Sequence, residues 1–136
     1  MFFGKKKNEN ENNDLIKVAA LLVHAARIDE NYSSDEQKII KETLIKFGAK
    51  IENVDKILKM AEKTEESSIQ ILEFTKEIKS MNHGSKVKII ETLWKIIYSN
   101  RKADMYETNL MRRLSGLLYI DSKVMADIKE RIKRES

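Results

Sequence analysis

The chain has 136 residues, 41% of them hydrophobic and 35% charged, a length and balance that suit one globular domain with its own core. It contains no cysteine, which excludes disulfides, thiolate metal sites and cysteine nucleophiles and fits a reducing cytoplasm. Formal net charge is +4, and residues 86–136 carry 12 Lys and Arg against 7 Asp and Glu, so the positive excess lies in the C-terminal part. That imbalance is modest for a nucleic-acid binder and reads as a solvated basic face.

Proline is absent and glycine is confined to Gly4, Gly48, Gly84 and Gly116. Both residue types interrupt helices, so their scarcity favours helix along most of the chain. The opening Met1-Phe2-Phe3-Gly4-Lys5-Lys6-Lys7 lacks the apolar stretch of a secretory signal, and residues 1–13 are expected to form a flexible basic and polar tail. No later stretch approaches the roughly 20 apolar residues of a membrane span.

Leu15, Val18, Ala19, Leu22 and Ala26 recur at helical spacing and predict a first helix from about residue 14 to 29. Leu21, Val23, Ala25 and Ile28 fill most of its remaining surface, leaving a narrow polar stripe of Lys17 and His24. A helix apolar nearly all round belongs at the centre of a bundle. Ile39, Ile40, Thr43, Leu44 and Phe47 predict a second helix that stops at Gly48. Val54, Ile57, Leu58 and Ala61 predict a third. Ile71, Phe74, Thr75 and Ile78 predict a fourth, with Ser67 or Ser68 as its N-cap. After the break at Asn82-His83-Gly84-Ser85, Val87, Ile90, Leu93, Trp94 and Ile97 predict a fifth helix, again central in character. Leu110, Met111, Leu114, Leu117 and Leu118 predict a sixth. Val124, Met125, Ile128 and Ile132 predict a seventh, starting near Asp121 or Ser122. The expected fold class is all-α, with about seven helices over residues 14–136.

Shifting the chain against itself by 71 positions brings the halves into register. Val18, Leu22, Val23 and Ala26 then fall on Ile89, Leu93, Trp94 and Ile97, while Ile39, Ile40 and Phe47 fall on Leu110, Met111 and Leu118. Two pseudo-symmetric helical repeats packed as a compact bundle are the expected architecture. In each repeat the turn after the long apolar helix leads into a capping box. Ser33 with Glu36, and Asp104 with Glu107, have the N-cap-to-N3 spacing that satisfies two orphan helix donors.

These turns, Ala26 to Glu36 and Ile97 to Glu107, resemble the tellurite-resistance protein TerB family, in which an Ala-Asp-Gly-Glu turn and an Asp-Pro-x-Glu helix start occur twice. Related helical domains occur at the N-terminus of the DjlA co-chaperone. The resemblance covers nearly the whole chain from residue 14. It implies an acidic cluster proposed to bind metal, and a setting in tellurite resistance and stress response. The acidic positions retained are Asp29 and Glu36 in the first copy and Asp104 and Glu107 in the second. The chain departs from the family pattern at Asn100, where the second copy has lost an aspartate, and at Glu30 and Arg101, which replace the turn glycines. A helix position that is commonly Glu in the family is His24 in one copy and Lys95 in the other, and a lysine opposes a nearby cation.

Any divalent cation is therefore expected to bind weakly and in the first repeat, around His24, Asp29, Asp35 and Glu36. The second-repeat counterpart, Asn100, Asp104 and Glu107, is degenerate. Three of the first-repeat residues also have a plainer reading, in which Glu36 only caps its helix, Asp29 only faces water, and His24 is a partly exposed helical histidine. An EF-hand reading of Asp29 to Ser33 fails because Ser34 stands where glycine makes the turn and Ile40 where the bidentate Glu belongs. His83 reads as a loop residue. Trp94, Phe47 and Phe74 sit on apolar faces as core, and Tyr32, Tyr98 and Tyr106 flank the loops.

No phosphate loop, nucleophile elbow or metalloprotease motif is present, so no catalytic residue, cofactor or small-molecule substrate is expected. The expected function is a non-catalytic interaction or sensing module of the cytoplasm whose partner is another protein. The alternative is a small basic protein binding an anionic surface, nucleic acid or membrane, through Lys5-Lys6-Lys7 and Arg131, Lys133 and Arg134. That alternative predicts a steep loss of affinity with salt.

Overall fold

The computed structural model describes the backbone of residues 2–28, 32–67, 72–99 and 105–135, and the side chains of residues 14–28, 32–67, 73–99 and 109–135. Seven helices occupy the described residues: α1 Phe2–Arg27, α2 Ser34–Lys46, α3 Ile51–Ser67, α4 Leu72–Lys79, α5 His83–Ser99, α6 Met105–Leu117 and α7 Ser122–Glu135. No strand occurs among them. The fold is all-α.

The all-round apolar surface of α1 dictates its place. Six consecutive residues, Val18 to Val23, are 0% exposed, which requires neighbours on every side. α3, α4, α5 and α2 supply them. The polar stripe is also used: Lys17 reaches Glu77 of α4 at 3.4 Å, and His24 reaches Glu65 of α3 at the same distance. α5 is the second central helix, with Ile89, Ile90, Leu93, Trp94, Ile96 and Ile97 all buried. It packs on α7, α1 and α2. One continuous cluster joins the apolar faces of both helices to those of the outer ones.

Local chemistry sets several helix ends. Gly48, at φ 103°, follows the last turn of α2, and Ala49 N–H donates back to the Leu44 carbonyl at 3.0 Å. This is the left-handed C-terminal cap that glycine adopts without steric cost. Asn82 starts α5, its side chain accepting from Ser85 N–H at 2.8 Å, so His83 and Gly84 lie in the first helical turn. Asp121 starts α7 in the same way, accepting from Lys123 N–H at 2.9 Å.

Three sequence expectations change. α1 runs back to Phe2, well before residue 14, through a stretch whose Lys, Glu and Asn residues lack an apolar period but do not forbid helix. Ser67 is the last residue of α3, its hydroxyl donating to the Thr64 carbonyl, so it does not cap α4; Ser68 and Ile71 lie outside the described residues. His83 is helical and exposed.

Some helix bounds coincide under the shift that relates the repeats, although the start of α1 falls inside α4 rather than at the start of α5. The 71-residue shift carries Ser34 and Lys46 of α2 onto Met105 and Leu117 of α6, and Ile51, the start of α3, onto Ser122, the start of α7. The helix pairs it equates, α1 with α3 and α5 with α7, are both packed pairs.

Candidate functional site: the acidic end of helix α3

The turn between α1 and α2 brings three helix ends together. α2 starts here with a complete capping box: Ser33 Oγ accepts from Glu36 N–H at 3.2 Å, and Glu36 Oε1 accepts from Ser33 N–H at 2.9 Å. Glu36 is only 1% exposed. A buried carboxylate is costly unless hydrogen-bonded, and the cap supplies bonds that also suit the positive end of α2.

α1 ends with His24 and Arg27, two basic residues at the negative end of a helix dipole. Facing them, α3 ends with Glu62, Glu65 and Glu66, at i, i+3 and i+4 on one face. Carboxylates there oppose the dipole of their own helix, so they require cations. Arg27 provides one, bonding Glu65 Oε2 through Nη1 at 2.6 Å and Glu66 Oε1 through Nη2 at 3.2 Å. Burial acts to lower the Arg27 pKa, but the Glu65 hydrogen bond and the charges of Glu65, Glu66 and Glu62 outweigh it and raise the value. The guanidinium also lies over the Tyr32 ring, 5.2 Å from its centroid. Tyr32 Oη donates to Glu62 Oε2 at 2.7 Å. Burial, and then the Glu62 carboxylate, push the Tyr32 phenol well above its ordinary pKa.

These pairings redistribute the residues singled out by sequence. His24 Nδ1 faces Glu65 rather than Glu36, because its stripe of α1 packs on α3. Glu36 is committed to the cap, and Asp35 is exposed. Asp29 lies outside the described residues, as do Asn100 and Asp104 and the side chain of Glu107. Among the described residues, no group of three His, Asp or Glu side chains is arranged to hold a metal ion. Sequence reasoning missed Glu62, Glu65 and Glu66. Their signal was present as three glutamates on the last turns of a helix, where the dipole disfavours them.

The basic residues of the alternative reading are engaged in part. Arg131 pairs with Glu91 of α5 at 2.9 Å, and Arg134 donates to the Glu130 carbonyl. Lys5, Lys6 and Lys7 have no described side chains. No helix among the described residues is long and apolar enough to cross a membrane.

Comparison with known proteins gives no match among curated proteins and none among solved structures. The model of one protein family, tellurite resistance protein TerB, matches residues 15–130, which runs from the first buried turn of α1 into α7. The chain therefore belongs to the tellurite resistance protein TerB family.

Proposed function

We propose that this protein is a non-catalytic interaction module of the cytoplasm, acting in tellurite or stress response, whose contact surface is the acidic end of α3 with the capped start of α2. The supporting observation is the charge balance there. Glu62, Glu65 and Glu66 converge on a turn whose described cation is Arg27, with His24 adding charge only when protonated. Asp35 adds an exposed carboxylate at the same helix start. Unbalanced negative charge on one surface steers and selects a basic partner. A basic segment of another protein fits this surface better than a resident metal, because His24 and Glu36 are each held by another partner. Weak divalent binding at the first turn is the second reading, and family membership is what favours it.

One experiment separates the two. The protein is isolated with its bound partners from cells grown with and without tellurite, as wild type and as Glu66→Lys. Glu66 is well exposed, so reversal leaves the core untouched. The expected result is a basic partner held by wild type and lost in the variant; an unchanged partner profile rejects the acidic surface. In parallel, calcium, magnesium and zinc are titrated into labelled protein and followed by NMR. Shifts confined to residues 24–36 would move the assignment to metal sensing, and larger shifts at residues 95–107 would reverse the predicted preference for the first repeat.

A further inference from the structure

The two repeats differ at one structurally demanding position. The 71-residue shift places Gly48, the left-handed cap of α2, on Tyr119, which occupies the same place after α6. Tyr119 takes φ 56° and is the one non-glycine residue with positive φ among the described residues. The cap bonds repeat as well: Ile120 N–H donates to the Ser115 carbonyl at 2.9 Å, as Ala49 N–H does to Leu44. The geometry that glycine adopts freely in the first repeat is thus imposed on an aromatic residue in the second. Strain of this kind marks a place where the side chain has a use. The ring is not there to fill the core, since Tyr119 is 70% exposed.

Cations surround it. Lys79 Nζ lies 5.1 Å and Lys86 Nζ 5.9 Å from the ring centroid. Lys86 is 9% exposed, yet no carboxylate among the described residues pairs with it. Trp94 Nε1 is the one enclosed side-chain nitrogen or oxygen without a partner among those residues, so the Lys86 ammonium is at the surface of its buried stem. A cation–π contact replaces only part of an ammonium ion's hydration, and the two ammonium groups repel each other. Beside them is a pocket of about 320 Å³ lined by Thr75, Lys76, Lys79, Gly116, Leu117 and Tyr119, with no acidic side chain in its wall. Gly116 is exposed, and nothing lies within 4 Å of where a Cβ on it would stand, so a side chain there has room beside the pocket.

We infer that this pocket, between α4 and the end of α6, binds a small phosphate monoester, its oxyanion held by Lys76 and Lys79 with Tyr119 as the wall, and with Lys86, which meets the Tyr119 ring but not the pocket wall, adding positive charge. Lysine binds phosphate as a point charge. A monoester carries close to two negative charges at neutral pH, which suits three lysines better than a single carboxylate does. The pocket's volume lies at the small-molecule end of the ligand-site range. This site lies on other helices than the acidic end of α3, and neither reading depends on the other.

The test is an NMR titration of the whole protein with inorganic phosphate, glycerol 3-phosphate and acetate at constant ionic strength. Saturable shifts at residues 76–79, 86 and 116–119 are expected with the two phosphates, at concentrations below about 10 mM, and not with acetate. Lys79→Gln, at an exposed position, should weaken binding by about tenfold. Lys86→Met should weaken it by less and without lowering the melting temperature, because the stem still packs and only an ammonium at the surface is removed. Gly116→Leu should block the pocket while both lysines stay. Absence of saturation, equal response to acetate, binding undiminished in both lysine variants, or binding to phosphatidic acid vesicles without binding to glycerol 3-phosphate would each overturn the proposal.

Discussion

Ser33 and Glu36 are the residues whose roles can be followed most directly from letters to atoms. Each supplies one side-chain acceptor to the other's backbone N–H, so the pair satisfies two donors that the first turn of α2 cannot satisfy itself. Ser33→Ala should therefore cost about 1 kcal/mol in denaturant melts. Glu36→Gln should cost less, since the amide oxygen still accepts from Ser33 N–H and an almost buried charge disappears. A larger loss for Glu36→Gln than for Ser33→Ala would show that Glu36 is held mainly by charge. The same scale accounts for where two members of the sequence-derived ligand set, Glu36 and His24, are placed. Glu36 Oε1 accepts from the start of its own helix, and His24 follows the face of α1 that meets α3.

Between elements, the contact of α2 with α5 rests on apolar packing and one polar pair. Thr43 and Thr92 are both buried, with Oγ1 atoms 2.8 Å apart. Each hydroxyl also lies within bonding distance of a carbonyl in its own helix, Ile39 at 3.1 Å and Lys88 at 2.9 Å. Two protons cannot make three bonds. One hydroxyl donates within its helix while the other donates across, and the roles can exchange. Removing either hydroxyl leaves the other able to bond its own carbonyl, so Thr43→Val and Thr92→Val should each cost about 1 kcal/mol. The double variant should cost clearly less than the sum, because both single changes delete the same crossing bond. Additive losses in equilibrium unfolding would mean that the two threonines do not share a bond.

Across the whole molecule, α1 and α5 make the described residues one cooperative body. Their buried faces belong to a single cluster that includes residues from α2 through α7, and no outer helix has a core of its own. The chain should therefore unfold in one transition. The sole tryptophan offers a local probe, since Trp94 is 4% exposed and stacks against Tyr98 at 5.9 Å between centroids. Its fluorescence and the far-ultraviolet circular dichroism should give coincident denaturant midpoints. A separate, earlier fluorescence transition would show that α5, α6 and α7 loosen before α1 does.

What the sequence determined by itself is local or periodic. Helical spacing located seven helices and identified α1 and α5 as central, because a helix apolar on every side has no stable position except among others. The Ser33 to Glu36 cap and the Gly48 stop were legible because their partners lie within a few residues. The register of 71 residues was legible because two runs of apolar positions coincide. Only the tertiary structure decided which charges meet. Arg27 with Glu65 and Glu66, Tyr32 with Glu62, and Lys86 with Tyr119 join residues some 30 or more apart. Spacing along the chain carries no information about such pairs. They follow from the rotation of α1 against α3 and from the placing of α5 beside the end of α6, which burial of the apolar faces sets and the polar residues then accommodate.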